Sequence, residues 1–486
     1  MDNNCKLEPF GLKNQIMFAT GSLSFNMMER MIILYVAFYY LPPVELGEVN
    51  LIPEESFWGI ITAIGLVMVI GRFFDAIADP LVAQLSDNNR SAIGRRKLFM
   101  LIGAVPLIAS AVLIFFPPDM SGVAFLNSLW IGVMISFFYF SYTAYVNPFM
   151  ALLPEIGHTE DIRINISTFM AFFGLIGMVL VMVIFPVVAG NFLESGSGFR
   201  ESYQNAALVF APIALFTAFL AISSFSEKKH CLPSKPTGLN IWTALKNTYS
   251  IKHFRTYLYG ELCVYFCVNI ITMGMAYYAV VIFLGGEQLG IKSLMGEKFM
   301  TVIAGAALLV AIMSFPVINV LAKRIGKKKI LSSNMLIMML VTLLLFIFSG
   351  SMEGSFFYFG IFLFSLAGIP LAALTTLLFS TLADIAREDA LRTGQKKEAM
   401  FYAARAIPLK MITALSGIVF GFFLSMGKDV ANPLGIQLSL VTISIISLIG
   451  FFFFFKYPEE EVLTSLRKLE KERLVSGELD IYKENV

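Results

Sequence analysis

Arg72-Phe73-Phe74-Asp75-Ala76-Ile77-Ala78-Asp79-Pro80 closes an apolar stretch long enough to cross a bilayer and sets two carboxylates four residues apart. On a helix, positions i and i+4 share one face with Cβ atoms about 6 Å apart, so Asp75 and Asp79 converge. An ionised Asp near the middle of a membrane helix costs roughly 2.5 to 3.5 kcal/mol on insertion scales, and such residues usually line a cavity, a proton relay or an ion path. A cation held between the two is the simplest reason for the pair. A buried structural ion pair with Arg72 is the alternative.

Outward from that stretch the chain keeps the same character. Of its 486 residues, 57% are hydrophobic and 14% charged, against about 25% charged in an ordinary soluble domain; mean hydropathy is +0.76. A helix needs about 20 apolar residues to cross the hydrocarbon core. On that scale twelve runs stand out, near residues 16–40, 57–80, 97–116, 123–150, 166–190, 203–225, 256–284, 299–322, 330–349, 355–380, 400–426 and 434–455. The expectation is an all-α integral membrane protein with twelve transmembrane helices. The first run is too long for a signal-peptide apolar region and has no small-residue cleavage site behind it, so it is expected to remain.

Lys and Arg crowd one side of this topology. Arg90, Arg95, Arg96 and Lys97 follow the second run, Lys228, Lys229, Lys235, Lys246, Lys252 and Arg255 fill the central linker, and Lys323, Arg324, Lys327, Lys328 and Lys329 follow the eighth. The positive-inside rule makes these loops, and both termini, cytoplasmic. Residues 41–56, on the opposite side, carry Glu45, Glu48, Glu54 and Glu55 without a Lys or Arg, and later loops there hold only scattered bases such as Lys292 and Lys428. Cys5, Cys231, Cys263 and Cys267 show no metal-ligand spacing and read as reduced packing residues. The three histidines have no such spacing either, and neither a nucleophile motif nor a glycine-rich phosphate loop is present. No enzyme, cofactor or nucleic-acid partner is expected.

The chain also echoes itself. Ile93-Gly94-Arg95-Arg96-Lys97 recurs as Ile325-Gly326-Lys327-Lys328-Lys329, an offset of 232, and Pro154-Glu155-Ile156 with Arg163 recurs as Ala383-Asp384-Ile385 with Arg392, an offset of 229. Two echoes at nearly one offset imply duplicated six-helix halves, 1–225 and 256–455. A linker at 226–255 joins them, and a charged tail at 456–486 reads as a solvated helix.

Two six-helix halves around a midplane site resemble the major facilitator architecture, which works by rocking of the halves. The loop from Asp87 to Gly94-Arg95-Arg96 resembles that superfamily's Asp-(Arg/Lys)-x-Gly-Arg-Arg loop. A narrower resemblance joins Asp75-Ala-Ile-Ala-Asp79-Pro80 to this loop and to Thr393-Gly394-Gln395-Lys396-Lys397-Glu398. Together they resemble the glycoside-pentoside-hexuronide:cation symporter family over nearly the whole chain.

That resemblance implies that Asp75 and Asp79 bind a coupling Na⁺ or H⁺, with Thr143, in Tyr142-Thr143 followed by Pro148, as a further oxygen ligand. It also implies that Lys410 and Arg72 balance their charge, and that Asp87, Arg95, Arg96, Glu155, Arg163, Asp384, Arg392 and Glu398 form a cytoplasmic gate. Hard cations take oxygen ligands, and two close carboxylates can share one proton; both ions stay open. Met27 and Val146 stand where the family's melibiose-type members carry sugar-binding aspartates, which leaves the cargo open. Glu29, Arg30, Tyr142 and Asn147 are the candidate substrate contacts, with Glu29 and Arg30 alternatively pairing structurally. The expected function is cation-coupled symport of a sugar, glycoside or uronide by a monomer in the cell membrane. The alternative is a lysolipid or amphiphile carrier, or a non-transporting sensor, of the same fold.

Overall fold

The computed structural model describes residues 9–57, 61–89, 91, 93–157, 160–231, 246, 248–283, 294–349, 355–393 and 398–475; the Gly394–Lys397 part of the family loop lies outside them. The described chain is almost wholly helical, as lipid demands of a segment that must satisfy its own backbone hydrogen bonds. In order come α1 (Leu12–Ala19), α2 (Gly21–Tyr40), α3 (Ala63–Asn88), α4 (Arg95–Leu113), α5 (Phe125–Ile156) and α6 (Glu160–Val179). A π turn at Leu180–Ile184 leads into α7 (Phe185–Glu194), followed by α8 (Phe199–Ser223) and the single turn α9 (Glu227–His230). The later helices are α10 (Lys252–Tyr277, prolonged by a π turn to Phe283), α11 (Leu294–Ile325), α12 (Lys327–Phe348), α13 (Ser355–Leu366), α14 (Gly368–Thr393), α15 (Glu398–Met426), α16 (Leu434–Lys456) and α17 (Glu459–Val475). A two-residue hairpin, β1 (Ser56–Phe57) with β2 (Ile61–Thr62), precedes α3.

Among the described residues, ten helical stretches are long and apolar enough to cross a membrane. The two further expected runs coincide with α1–α2 and α3, which carry Glu29, Arg30, Arg72, Asp75 and Asp79. Several helices outlast the apolar run that announced them: α3 continues to Asn88, α5 to Ile156 and α14 to Thr393.

The chain divides into two compact units, residues 1–236, 273–302 and 417–433 in the first, and 237–272, 303–416 and 434–486 in the second. In the first, buried tyrosines turn their hydroxyls onto main-chain carbonyls, Tyr35 to Val181 (2.8 Å), Tyr39 to Phe115 (2.7 Å) and Tyr40 to Ile114 (2.6 Å), so each ring packs while its polar tip is satisfied. The second is built around Phe254, Tyr257, Leu331, Met335, Leu378 and Phe454. The charged tail folds into α17, and its apolar side is not solvated: Val462 and Leu466 are buried and Ser465 donates to Glu388 Oε1 at 2.9 Å.

One device appears in both units. Gly94, at φ +128°, turns the chain into α4, whose first amides from Arg95, Arg96 and Lys97 donate to the Glu227 carboxylate at 2.9, 2.8 and 2.6 Å. Gly326, at φ +93°, turns the chain into α12, whose amides from Lys327 and Lys328 donate to Glu459 at 2.7 and 3.0 Å. Each carboxylate satisfies helix-start N–H groups that have no intrahelical partner and sits at the positive end of the helix dipole. A Cβ on either glycine would stand 2.7 Å from that carboxylate. Glu227 and Glu459 are themselves 232 residues apart.

Candidate functional site

The site grows from the side-by-side packing of α3 and α5 in the first unit. Phe73, Phe74, Ile77 and Leu81 stand exposed on one side of α3, which in a bilayer is the lipid side. Arg72, Asp75 and Asp79 fall on the other and meet α5 in matching steps. The Arg72 guanidinium lies 4.3 Å over the Tyr139 ring, Thr143 Oγ1 donates to Asp75 Oδ1 at 2.8 Å, and Asn147 Nδ2 donates to Asp79 Oδ1 at 3.0 Å. The helices come this close because residue 71 is glycine; a Cβ there would collide with Ile135 and press on Tyr139.

Arg72 links this ladder to α2. Its Nη1 lies 3.5 Å from Asp75 Oδ2 and its Nη2 donates to Glu29 Oε1 at 3.2 Å, while the Tyr142 hydroxyl donates to Glu29 Oε2 at 3.3 Å. Asp75 and Thr143 are buried, and Glu29, Arg72, Asp79, Tyr142 and Asn147 are half-buried. Three carboxylates, Glu29, Asp75 and Asp79, thus share the network with the Arg72 guanidinium, and half-buried Arg30 follows Glu29 on α2. Two carboxylates and a hydroxyl here offer oxygen, the ligand that hard cations take. Close carboxylates can equally share a single proton.

The structure therefore joins Asp75, Asp79, Thr143 and Arg72 in one network and adds Glu29, Tyr142 and Asn147, expected as substrate contacts. Glu29 pairs across helices with Arg72, and Asn147 belongs with Asp79. Met27 and Val146 are buried. Lys410 is half-buried on α15 in the second unit.

Among the expected gate residues, Arg95 and Arg96 bind Glu155 at 2.6 and 2.9 Å, and Asp384 meets Lys327 at 2.5 Å, the same pairing in each unit. Arg163 donates to the Gly157 carbonyl at 3.3 Å, and Arg392 pairs with Asp389 at 3.1 Å one turn earlier on its own helix. The side chains of Asp87 and Glu398 lie outside the described residues.

Sequence reasoning missed a second buried charge pair. In the second unit, Glu261 of α10 takes Arg405 Nε and Nη2 on Oε1, each at 2.6 Å. Arg405 also donates to the Tyr265 hydroxyl at 3.1 Å and lies 4.4 Å over the Phe379 ring. The signal was available: Glu261 is an acid inside an apolar run and stands 232 residues after Glu29, the offset of the loop echo.

The family described as MFS/sugar transport protein matches residues 17–459. Similar proteins include the uncharacterized symporter YnaJ of Bacillus subtilis (strain 168), 21% identical, with 98% of this chain and 99% of that protein covered. The isoprimeverose transporter of Lactiplantibacillus pentosus is 24% identical, with 77% of this chain and 75% of that protein covered. Among solved structures, the nucleoside transporter NupG superposes with TM-score 0.59 at 14% identity, covering 92% of this chain and 100% of that one; at this identity the likeness is one of fold.

Proposed function

The chain belongs to the MFS/sugar transport protein family, and on that premise we propose that it is a secondary active transporter carrying a sugar or glycoside together with Na⁺ or H⁺ by alternating access. Relatives named for isoprimeverose and lactose transport support the cargo class. The observation that carries the coupling is the ladder in which Asp75 meets Thr143 and Asp79 meets Asn147. Asp75, Asp79 and Thr143 hold the ion, Asn147 orients Asp79, Arg72 ties the ion site to Glu29, and Lys410 supplies the countercharge that the family resemblance implies. Glu29, Arg30 and Tyr142 border the cargo, so occupancy of one site raises affinity at the other, reciprocally. The gate residues Asp87, Arg95, Arg96, Glu155, Arg163, Asp384, Arg392 and Glu398 close the cytoplasmic side of a carrier in the cell membrane.

Purified protein in liposomes is expected to take up a glycoside from a panel of sugars and uronides only under an inward Na⁺ or H⁺ gradient. Asp79→Asn is expected to abolish the gradient dependence. Gradient-driven uptake that survives in Asp79→Asn defeats the ion assignment; uptake of lysolipids and of no sugar defeats the cargo assignment.

A further inference from the structure

Beyond the Asp75–Thr143 ladder, toward the face opposite the basic loops, α3 and α5 leave an apolar groove of about 760 Å³ between them. Leu66, Ile70 and Phe74 line it from α3, and Ser128, Gly132 and Ser136 line it from α5 at four-residue intervals. Its rims, Leu66 and Phe74 on one helix and Leu129 and Phe137 on the other, are exposed, so in a bilayer the groove faces lipid. Its deep end stops at Phe74 and Phe140, and it includes none of the ion ladder.

Gly132 sets this groove apart from ordinary helix packing. Elsewhere neighbours impose the glycine: a Cβ on Gly71 would collide with Ile135, and one on Gly103 would stand 2.9 Å from the Tyr145 amide nitrogen. A Cβ on Gly132 would meet nothing within 4 Å. Glycine in a helix interior is less favourable than alanine, and no described neighbour needs it here, so the space it leaves serves something outside the chain. The two hydroxyls beside it also differ. Ser136 donates to the Gly132 carbonyl at 2.7 Å, whereas the buried Ser128 hydroxyl has no hydrogen-bond partner among the described residues. A buried hydroxyl without a partner is costly.

The dimensions say what fits. From Ala63 to Phe74 the groove follows α3 for about 16 Å, and from Phe125 to Phe140 it follows α5 for about 22 Å. One leaflet offers about half of the roughly 30 Å hydrocarbon core plus its interfacial layer, which is the same depth. Ser128 lies one turn inside the start of α5, at the level where a glycerophospholipid carries its ester carbonyls. A helix of a second copy suits the groove less well, because fourteen residues line it where a stable protein interface uses about 20 to 30 a side. At the mouth, Pro53 lines the groove and is followed by Glu54 and exposed Glu55, in a loop whose acids disfavour an anionic head group.

We propose that this groove is a lipid site, holding one acyl chain of a zwitterionic glycerophospholipid from that leaflet with its ester carbonyl on the Ser128 hydroxyl. The lipid is a resident ligand and not the cargo, so the site stands whichever solute the protein carries.

The test titrates the full chain, purified in detergent and stripped of lipid, with dioleoylphosphatidylcholine while the thermal midpoint is read, since a ligand of the folded state raises it. The parent midpoint is expected to rise and saturate. Gly132→Leu, whose side chain enters open space, is expected to keep the lipid-free midpoint and lose most of the rise; Ser136→Leu, a second filling variant, should match it, and Gly132→Ala should retain the rise. An equal rise in the parent and both filling variants overturns the site. A molar mass by light scattering that falls from two copies to one in Gly132→Leu gives the groove to a second copy and overturns the lipid. The ether-linked analogue, which lacks ester carbonyls, is expected to bind the parent severalfold more weakly, and Ser128→Ala to erase that difference; equal binding of both lipids by the parent overturns the ester contact. Dioleoylphosphatidylglycerol is expected to half-saturate at a higher concentration than the choline lipid, and the reverse order overturns the zwitterionic head group.

Discussion

Two buried charge centres occupy the two units, and they differ in one respect. Each has a glutamate on the first long helix of its half, Glu29 and Glu261, an arginine on a neighbouring helix, Arg72 and Arg405, and an aromatic ring about 4 Å beneath the guanidinium, Tyr139 and Phe379. Around Glu261 the charges balance, one acid against one base. Around Glu29 two more acids, Asp75 and Asp79, have been added with a hydroxyl and a carboxamide pointed at them. Roles that look alike among buried charges thereby separate: a lone acid–base pair fastens helices, whereas the added acids are what the proposed ion site requires.

The largest effect that could break this contrast lies in the balanced pair. Removing one partner of a buried ion pair costs about 3 to 5 kcal/mol, because the other charge is left uncompensated, whereas replacing both with apolar residues of similar volume is often neutral. Glu261→Gln is therefore expected to lower stability by about 3 to 5 kcal/mol, read as a drop in thermal midpoint in detergent. Glu261→Met with Arg405→Met is expected to return most of it with the ion dependence of uptake intact. A double variant that stays folded but loses ion dependence would move Glu261 into the coupling machinery and erase the distinction.

Most of this architecture was legible because lipid makes the rules few. Apolar runs had to be helices, and an acid inside one had to have a reason. The boundaries were less legible: hydropathy reports where the bilayer ends, while α3, α5 and α14 keep turning into water where nothing in lipid constrains them. The pairings were least legible. Thr143 and Asn147 sit 68 residues from Asp75 and Asp79, and only the packing of α3 on α5 reveals that Asn147 serves the acid pair. Glu227 looks like one charge in a charged linker until it is seen beneath the start of α4, although its 232-residue distance from Glu459 was written in the chain.

A smaller effect sharpens the ion side of the comparison. Thr143→Val keeps the shape of the side chain and deletes the hydroxyl that donates to Asp75. A hydrogen bond to a charged group contributes about 1.5 to 3 kcal/mol, so the half-saturating Na⁺ or H⁺ concentration for uptake is expected to shift by roughly tenfold or more. The sugar-saturated rate should stay nearly unchanged. An unshifted ion dependence would leave Asp75 holding its ion without Thr143.

The smallest effect tests where the two units are alike. Glu227 and Glu459 cap α4 and α12 in the same way, so Glu227→Gln and Glu459→Gln should each cost a similar amount, on the order of 1 kcal/mol, as the loss of a helix cap does. The first unit also carries a reporter. Burial pushes the Cys231 thiol up to about 12, and the nearby carboxylates of Glu155 and Glu227 push in the same direction. Little of it is therefore thiolate, the reactive form, at pH 8. Glu227→Gln removes one of the charges that raise it and loosens the turn that shields it. In a variant retaining Cys231 alone, maleimide labelling at pH 8 should accelerate with Glu227→Gln and be unaffected by Glu459→Gln. Equal acceleration by both would mean that the caps act on the whole protein and not on their own units, and the parallel between the units would then describe one cooperative structure in place of two similar ones.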